Sequence, residues 1–270
     1  MSLARSLAAA LSAAIICISL TAQSQVIQPA KAEKTTETRT LPLAAGSALT
    51  VKNVNGFIRV EAWDREEVQF TGEFKPSSKD EQVKVVIEVG KGSMEIRGEY
   101  PKHTGWDSYN GPQCQMTLKV PSRVSPRLET VNGEVTLSGT QGDAKVSSVN
   151  GPVRVSGVTD SLKVDTVNGG ITLDKVRGGL ILETVNGAIK GSELDAQGKG
   201  IQAETVNGSI TLQVAGLKGK LKANTVNGSI SFNAKGAEQV EVKKHRVTAV
   251  FPGGEQAIHV ETVNGSITLN

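Results

Sequence analysis

Few residues of this sequence have the types and the spacing that chemistry requires. Its three histidines, His103, His245 and His259, are scattered along the chain and do not show the spacing of a metal site. The sequence contains no Gly-x-Ser-x-Gly, no His-Glu-x-x-His and no phosphate-binding glycine loop. Carboxylates are frequent, but they are spread as on any charged β-surface, which is weak evidence for glycan chemistry. We therefore predict no catalytic residue, no bound metal and no cofactor.

The polar side chain that recurs most regularly is the asparagine of a Val-Asn-Gly triplet. From Asn132 onward the triplets follow one another at intervals of 18, 18, 18, 21, 20 and 37 residues. A column of amides could bind a ligand, but Asn-Gly is also a turn sequence, because glycine accepts a positive φ and asparagine tolerates it while bonding its own backbone. We interpret the pairs as structural turns whose stacked asparagines bond one another. They are Asn55–Gly56, Asn132–Gly133, Asn150–Gly151, Asn168–Gly169, Asn186–Gly187, Asn207–Gly208, Asn227–Gly228 and Asn264–Gly265.

The residues around each asparagine indicate which elements position these turns. With the asparagine numbered zero, apolar residues recur at −6, −4, −1, +3, +5 and +8, so the 18-residue unit has two nine-residue halves. In a meander of antiparallel hairpins, positions −4 and −1 would face opposite sides of the sheet. If the chain turns a corner between them, all six positions point inward, including the valine at −1. This argument favours a parallel β-solenoid of two-strand coils over the meander, and so an all-β fold.

Two charged columns accompany the repeat on the predicted outer surface. Position −3 is mostly acidic and position −5 is mostly basic, and the two lie two residues apart on one strand. An acidic column alone would suggest calcium, but a basic column beside it offers ion-pair partners. We interpret the columns as a solvated, ion-paired face.

Residues 64–120 interrupt the repeat. Four β-rich stretches in this segment predict strands that flank or cap the amino-terminal end of the solenoid. The loop at 99–113 gathers most of the polar aromatic residues of the chain, among them Tyr100, Trp106 and Tyr109. These three rings are the best candidates for contact with a ligand, because aromatic faces bind sugars and anchor interfaces. The alternative is that they fold back over the end of the solenoid.

The amino-terminal residues predict export. Arg5 precedes the apolar run at 6–20, which is too short for a membrane span and is followed by small residues at which cleavage within 22–32 is expected. We assign residues 1–32 to the signal peptide and a short linker, 33–122 to the first coil and the capping region, and 123–270 to the repeat array. Cys114 is then the one cysteine of the mature chain, so no internal disulfide is expected. Removal of 1–32 takes away Arg5 and Lys31 and lowers the net charge of +3 by two, which leaves no electrostatic footprint for nucleic acid.

The carboxyl end predicts a further coil and an open edge. The interval of 37 residues before Asn264 suggests that "KKHRV", around His245, is a degenerate copy of the repeat. The chain stops at Asn270 without a recognisable cap, so self-association through the last coil is an expectation.

The stretch "VKNVNGFIRVEAWDREEV", the strands that end in "LKVPS" and the "TVNGSITL" coils resemble the exported bacterial "putative adhesin" family of domain-of-unknown-function 4097 type, over roughly residues 40–270. The resemblance implies a β-solenoid at the cell envelope, an adhesin-like role and no catalytic residues. Three classes of function follow: a periplasmic, surface or secreted protein that binds an envelope or extracellular polysaccharide or a surface protein, a polysaccharide-modifying lyase or hydrolase, and a self-assembling structural solenoid. The unbroken columns favour binding without catalysis.

Overall fold

The computed structural model describes residues 23–28, 34–77, 82–101, 111–197, 199–233 and 235–270. All regular structure in these ranges is β-strand. None of the described segments forms a helix long and apolar enough to cross a membrane. The amino-terminal part of the described chain contains β1 (Gln23–Ile27), β2 (Thr35–Pro42), β3 (Ala48–Lys52), β4 (Ile58–Trp63), β5 (Glu67–Lys75), β6 (Lys84–Gly90), β7 (Ser93–Glu99) and β8 (Gln113–Pro121).

The repeat region consists of short strands that alternate between two sheets. They are β9 (Ser125–Asn132), β10 (Val135–Ser138), β11 (Ala144–Asn150), β12 (Val153–Ser156), β13 (Leu162–Thr166), β14 (Ile171–Asp174), β15 (Leu180–Asn186), β16 (Ile189–Leu194), β17 (Ile201–Asn207), β18 (Ile210–Val214), β19 (Gly219–Asn227), β20 (Ile230–Phe232), β21 (Gln239–Lys243), β22 (Arg246–Phe251), β23 (Ala257–Asn264) and β24 (Ile267–Leu269).

Successive coils of the repeat stack in parallel register. Strand β9 pairs with β11 and β11 with β13 in a 13-stranded sheet. Strands β10, β12 and β14 pair in the same way within an 11-stranded sheet. Equivalent residues lie beside one another, as in the pairing of Val146 with Val164. The all-β parallel solenoid predicted from the repeat is therefore confirmed.

The four strands predicted in residues 64–120 are confirmed as β5, β6, β7 and β8. Together with β1 and β2 they flank the first coil, formed by β3 and β4. The order is β1-β6-β7-β3 in the larger sheet and β2-β5-β8-β4 in the smaller one. Antiparallel pairing of β6 with β7 and of β5 with β8 replaces the parallel stacking there.

The carboxyl-terminal end departs from the predicted order of coils. The last coil, β23 and β24, lies between the coil of β17 and β18 and the coil of β19 and β20, so it is not the edge of the stack. The "KKHRV" stretch is not a degenerate coil, because it forms the turn of an antiparallel hairpin in which β22 pairs with both β19 and β21. At this end the larger sheet closes with β21 and the smaller one with β20.

The valines at −1 do not point inward, which corrects the argument from side-chain alternation. Seven of them are exposed, with exposed fractions of their surface from 36% at Val263 to 58% at Val226. The residue at −2 is buried instead, as Thr166 and Thr184 show, each at 5% exposure. Strands β9, β11, β15, β17, β19 and β23 continue to the asparagine, so −6, −4 and −2 share the inner face. The solenoid was thus predicted correctly with the corner placed two residues too early.

The threonine hydroxyl at −2 is tolerated in the core because it has a hydrogen-bond partner. Thr184 Oγ1 donates to the Gly169 carbonyl at 2.9 Å, and Thr205 Oγ1 donates to the Gly187 carbonyl at 3.0 Å. A buried hydroxyl with a partner avoids the desolvation cost of an unpaired one. The repeated Thr-Val-Asn-Gly therefore places a satisfied polar group inside and an aliphatic one outside.

Glycine is required at the Asn-Gly corner for space rather than for a positive φ. Of the eight glycines, Gly56 alone has a positive φ, at 125°. A Cβ on Gly187 would lie 2.1 Å from the Gly169 carbonyl oxygen, and the other coils repeat this approach. Positive φ occurs instead at the second corner, at +7, where Gly139, Gly157 and Lys175 adopt 74°, 61° and 54°.

Candidate binding surface

The eight asparagines form one continuous column on the outside of the first corner. Every asparagine of the column except Asn55 donates its amide N–H to the side-chain oxygen of a neighbouring asparagine, as Asn150 Nδ2 does to Asn132 Oδ1 at 2.9 Å. In spatial order the column runs Asn55, Asn132, Asn150, Asn168, Asn186, Asn207, Asn264 and Asn227, and its seven links measure 2.8 to 2.9 Å. The links use one donor and one acceptor of each interior amide, so the column holds neighbouring coils in register.

The outer face of the 13-stranded sheet carries the two charged columns. Their ion pairs run both along one strand and between strands, because Lys163 Nζ lies 3.3 Å from Asp165 Oδ1 and 3.6 Å from Glu183 Oε1. Burial disfavours the charged form of Lys163, but the hydrogen bonds and charges of these two carboxylates outweigh it and raise the pKa of the lysine. His259 Nε2 lies 3.1 Å from Glu261 Oε2 at the same two positions of the last coil. Among the described residues no three His, Cys, Asp or Glu side chains cluster as metal ligands would.

A groove runs along one margin of this face and has a volume of about 590 Å³. Its floor is the residue at −7, which is small in most coils and leaves a channel beside the longer side chains at −5. Long side chains, among them those of Arg127, Lys145, Lys163, Ile181 and Lys199, border the channel. The groove was not predicted, because position −7 carries no charge or apolar pattern, although its residues are small in most copies of the repeat.

A smaller depression, of about 380 Å³, separates the acidic column from the exposed valines. It is lined by Glu183, Val185, Glu204 and Val206 together with the buried threonines between them. The valine column was missed as a surface feature because these residues were predicted to be in the core.

The structure describes one of the three aromatic candidates, Tyr100, and this ring follows the fold-back alternative. Tyr100 turns inward over the first coil: its hydroxyl donates to Asn53 Oδ1 at 2.5 Å and accepts from the Asn55 backbone N–H at 3.1 Å. Burial raises the pKa of the Tyr100 phenol above its ordinary value. Tyr100 is thus occupied within the fold, while Trp106 and Tyr109 lie outside the described residues.

These features define a class of protein: an all-β solenoid whose side chains repeat in register on long outer faces. The sequence from 125 to 270, more than half of the chain, matches the model of the family described as Toastrack DUF4097. The chain belongs to this family.

Three solved structures that the chain matches share little sequence with it. One is a "putative cell adhesion protein" from Clostridium sporogenes, at 15% identity and a TM-score of 0.43, covering 88% of this chain and 99% of that one. A second is a "putative adhesin" from Bacteroides fragilis, at 14% identity and a TM-score of 0.41, covering 88% and 97%. A third is a "putative lipid binding protein" from Parabacteroides distasonis, at 13% identity and a TM-score of 0.35, covering 87% and 96%. A search of curated proteins finds no significant match.

Proposed function

We propose that this protein is exported and acts at the cell envelope or surface as a non-catalytic binding solenoid. The outer face of its 13-stranded sheet would hold a repeating polymer or a surface partner. The observation that carries the proposal is the register of this face: the same side-chain positions recur on successive strands, as in the pairing of Lys145 with Lys163. Neighbouring strands are about 4.8 Å apart, so the face presents a periodic surface suited to a periodic ligand.

The absence of a catalytic role belongs to the same proposal. Paired carboxylates in glycosidases differ in pKa because one must hold a proton and the other must not. The carboxylates at −3 on the described outer face are engaged with lysine, arginine, glutamine or histidine side chains, as Glu129 is with Arg127 and Glu204 is with Gln202. This arrangement favours binding over bond cleavage.

The experiment incubates the purified protein with a panel of envelope and extracellular polysaccharides and measures both retained protein and newly released chain ends. We expect retention on at least one polymer without new ends. Release of ends would contradict the non-catalytic proposal and favour a lyase or hydrolase. Absence of both signals would contradict polysaccharide binding and direct the search to surface proteins.

Self-association is a second candidate, and the edge strand β21 favours it. Val240 and Val242 are 44% and 66% exposed, because no described strand of the smaller sheet lies opposite them. Their partners on β22, Ala249 and Val247, face the same side and are buried. If β21 pairs antiparallel with β21 of a second copy about Val242, Glu241 comes opposite Lys243 in both halves. Such an edge is self-complementary in charge and in apolar surface.

Light scattering over a range of protein concentrations tests this contact. We expect a dimer whose population rises with concentration and which Val242→Lys abolishes. The control Val185→Lys, in the exposed valine column far from β21, should leave the dimer intact. A monomer at all concentrations, or a dimer that survives Val242→Lys, would contradict the proposed contact.

A further inference from the structure

We infer that the groove along position −7 binds a linear anionic polysaccharide. This inference rests on the proposed binding function and specifies its ligand class and its site. The groove crosses six consecutive strands of the larger sheet, from β9 to β17 and then β23. Six strands with about 4.8 Å between neighbours give a channel about 24 Å long, which suits an extended polymer better than a small molecule.

The floor of the groove admits a chain because its side chains are short. Ser125, Asp143, Ser161, Gly179, Gly200 and Ala257 succeed one another along it. The pairing around this floor is regular: the Ala144 N–H donates to the Ser161 carbonyl at 2.8 Å, and the Leu162 N–H donates to the Gly179 carbonyl at 2.8 Å. The floor is thus a continuous, uniform surface of backbone and small side chains rather than a pocket shaped for one group.

The borders of the groove are predominantly basic. Four basic side chains, Arg127, Lys145, Lys163 and Lys199, line it, against one acidic side chain, Asp143. The carboxylate of Asp143 already accepts the Ser161 backbone N–H at 3.2 Å. Arg127, Lys145 and Lys163 occupy adjacent strands in register, so their charges repeat at the strand spacing. A polymer with regularly spaced carboxylate, sulfate or phosphate groups is the ligand that this pattern would attract.

The existing ion pairs do not prevent such binding. Lys199 Nζ lies 3.5 Å from Asp160 Oδ1, and the two side chains are 49% and 55% exposed. Lys163 and Asp165 are 37% and 31% exposed. Exposed pairs of this kind contribute little to stability, so these ammonium groups can exchange a carboxylate of the protein for an anionic group of the ligand at small cost.

The ligand class separates this groove from the neighbouring depression. There the charged border is acidic, formed by Asp165, Glu183, Glu204 and Glu261. An anionic polymer would be repelled from that side and confined to the −7 channel. The charges of the outer face therefore restrict where on the sheet an anionic ligand can bind.

The test measures binding of the purified protein to dextran sulfate, to polygalacturonate and to unmodified dextran. The double variant Lys145→Gln/Lys163→Gln removes charge from the groove, and Ser161→Tyr fills it without altering charge. The control Lys190→Gln removes an exposed lysine from β16 on the other sheet. Circular dichroism of each variant checks that the fold is retained.

We expect binding to both anionic polymers and none to dextran, a loss of about tenfold in affinity for the double variant, a comparable loss for Ser161→Tyr, and no change for Lys190→Gln. Equal losses for the double variant and Lys190→Gln, with no effect of Ser161→Tyr, would overturn the inference in favour of diffuse charge attraction. Retention on a neutral polymer alone would overturn the inference while leaving the proposed binding function standing. Failure to bind any polymer of the wider panel would overturn the inference together with polysaccharide binding, and would leave a surface protein as the partner to be tested.

Discussion

At each Asn-Gly corner, backbone meets backbone more closely than a side chain would allow. The Gly187 backbone packs on Gly169, whose carbonyl oxygen also accepts the hydroxyl of Thr184. The adjacent asparagine links the same two coils through its amide. Three residues of the repeat thus perform three distinct structural tasks at one corner.

Substitution of one corner glycine tests the role of this close approach. Gly169→Ala would place a Cβ 2.1 Å from the Gly151 carbonyl oxygen, so the two coils would have to separate. We expect the free energy of unfolding to fall by about 3 kcal/mol, as measured by chemical denaturation. Gly170→Ala is the matched control, because its Cβ would lie 3.2 Å from its nearest neighbour and because Ala188 already occupies the equivalent position. A similar loss for both variants would contradict the steric explanation.

Because threonine at −2 is buried and valine at −1 is exposed, substitution at −2 should lower the free energy of unfolding more than substitution at −1. Val185→Thr alters an exposed side chain and should change the free energy of unfolding by less than about 0.5 kcal/mol. Thr184→Val leaves the core apolar but removes the hydrogen bond to Gly169, and we expect a loss of about 1 kcal/mol. Thr184→Ser, which keeps the hydroxyl, separates this bond from the loss of the methyl group. A larger loss for Val185→Thr than for Thr184→Val would mean that valine faces the core.

The sequence predicts the wrong inward residue at each corner for a physical reason. From polarity alone, Val185 would be buried and Thr184 exposed. Side chains alternate along a strand, however, so once −6 and −4 face inward, Thr184 at −2 also faces inward and Val185 at −1 faces outward. The Thr184 hydroxyl donates to a carbonyl of the neighbouring coil. This partner is present only when the coils are stacked, so a single copy of the repeat does not reveal it. The glycine contacts are likewise contacts between coils.

At the scale of elements, β8 joins the antiparallel cap to the parallel coils. It pairs with β5 on one side and with β4 on the other. Cys114 on β8 is buried at this junction, where its backbone N–H donates to the Asn55 carbonyl at 3.0 Å. The cap therefore continues the sheet and the core of the first coil.

The Cys114 thiol gives this junction a measurable dependence on pH. Burial raises the pKa of Cys114 from 9.0 to about 12, so the folded chain holds the proton more tightly than the unfolded chain does. Stability should therefore be unaffected by this group below pH 9 and fall as the pH rises from about 9 toward about 12. Thermal unfolding of the wild type and of Cys114→Ala should give midpoints whose pH curves converge or cross over this window, because the variant lacks the alkaline loss. Parallel curves would show that the thiol is not buried at the junction.

The strand composition of the cap was predictable because each stretch is β-rich and bounded by turn residues. The turn of β21 and β22 was not, since "KKHRV" falls at the spacing of the repeat. Only the pairing of β22 with β19 in the antiparallel sense distinguishes a hairpin from a coil.

For the whole molecule, the order of coils in space differs from their order in the chain. The final coil is inserted between two earlier ones, and it pairs in parallel with β17 on one side and β19 on the other. The last coil therefore connects the earlier coils to the coil of β19 and β20, whose strand β19 carries the hairpin of β21 and β22. Similar repeats permit this insertion, because each coil can pair in the same register with any other coil. The sequence therefore predicts the solenoid but not the order in which its coils stack.

Cysteine cross-linking tests the threading. Thr211 lies opposite Thr268, whereas Ser231 lies on the far side of Thr268 and two strands from Thr211. We expect a short thiol cross-linker to join Thr211→Cys with Thr268→Cys efficiently and Thr211→Cys with Ser231→Cys poorly. The opposite pattern would indicate coils stacked in chain order. The buried Cys114, with its raised pKa, should react slowly with the reagent.

The central claim is that this regular outer face binds a polymer without cleaving it. Its most direct test is the polysaccharide panel, with retained protein and released chain ends measured in the same samples. The account predicts retention on an anionic polymer and no new ends. Release of new ends, or no retention on any polymer, would contradict it.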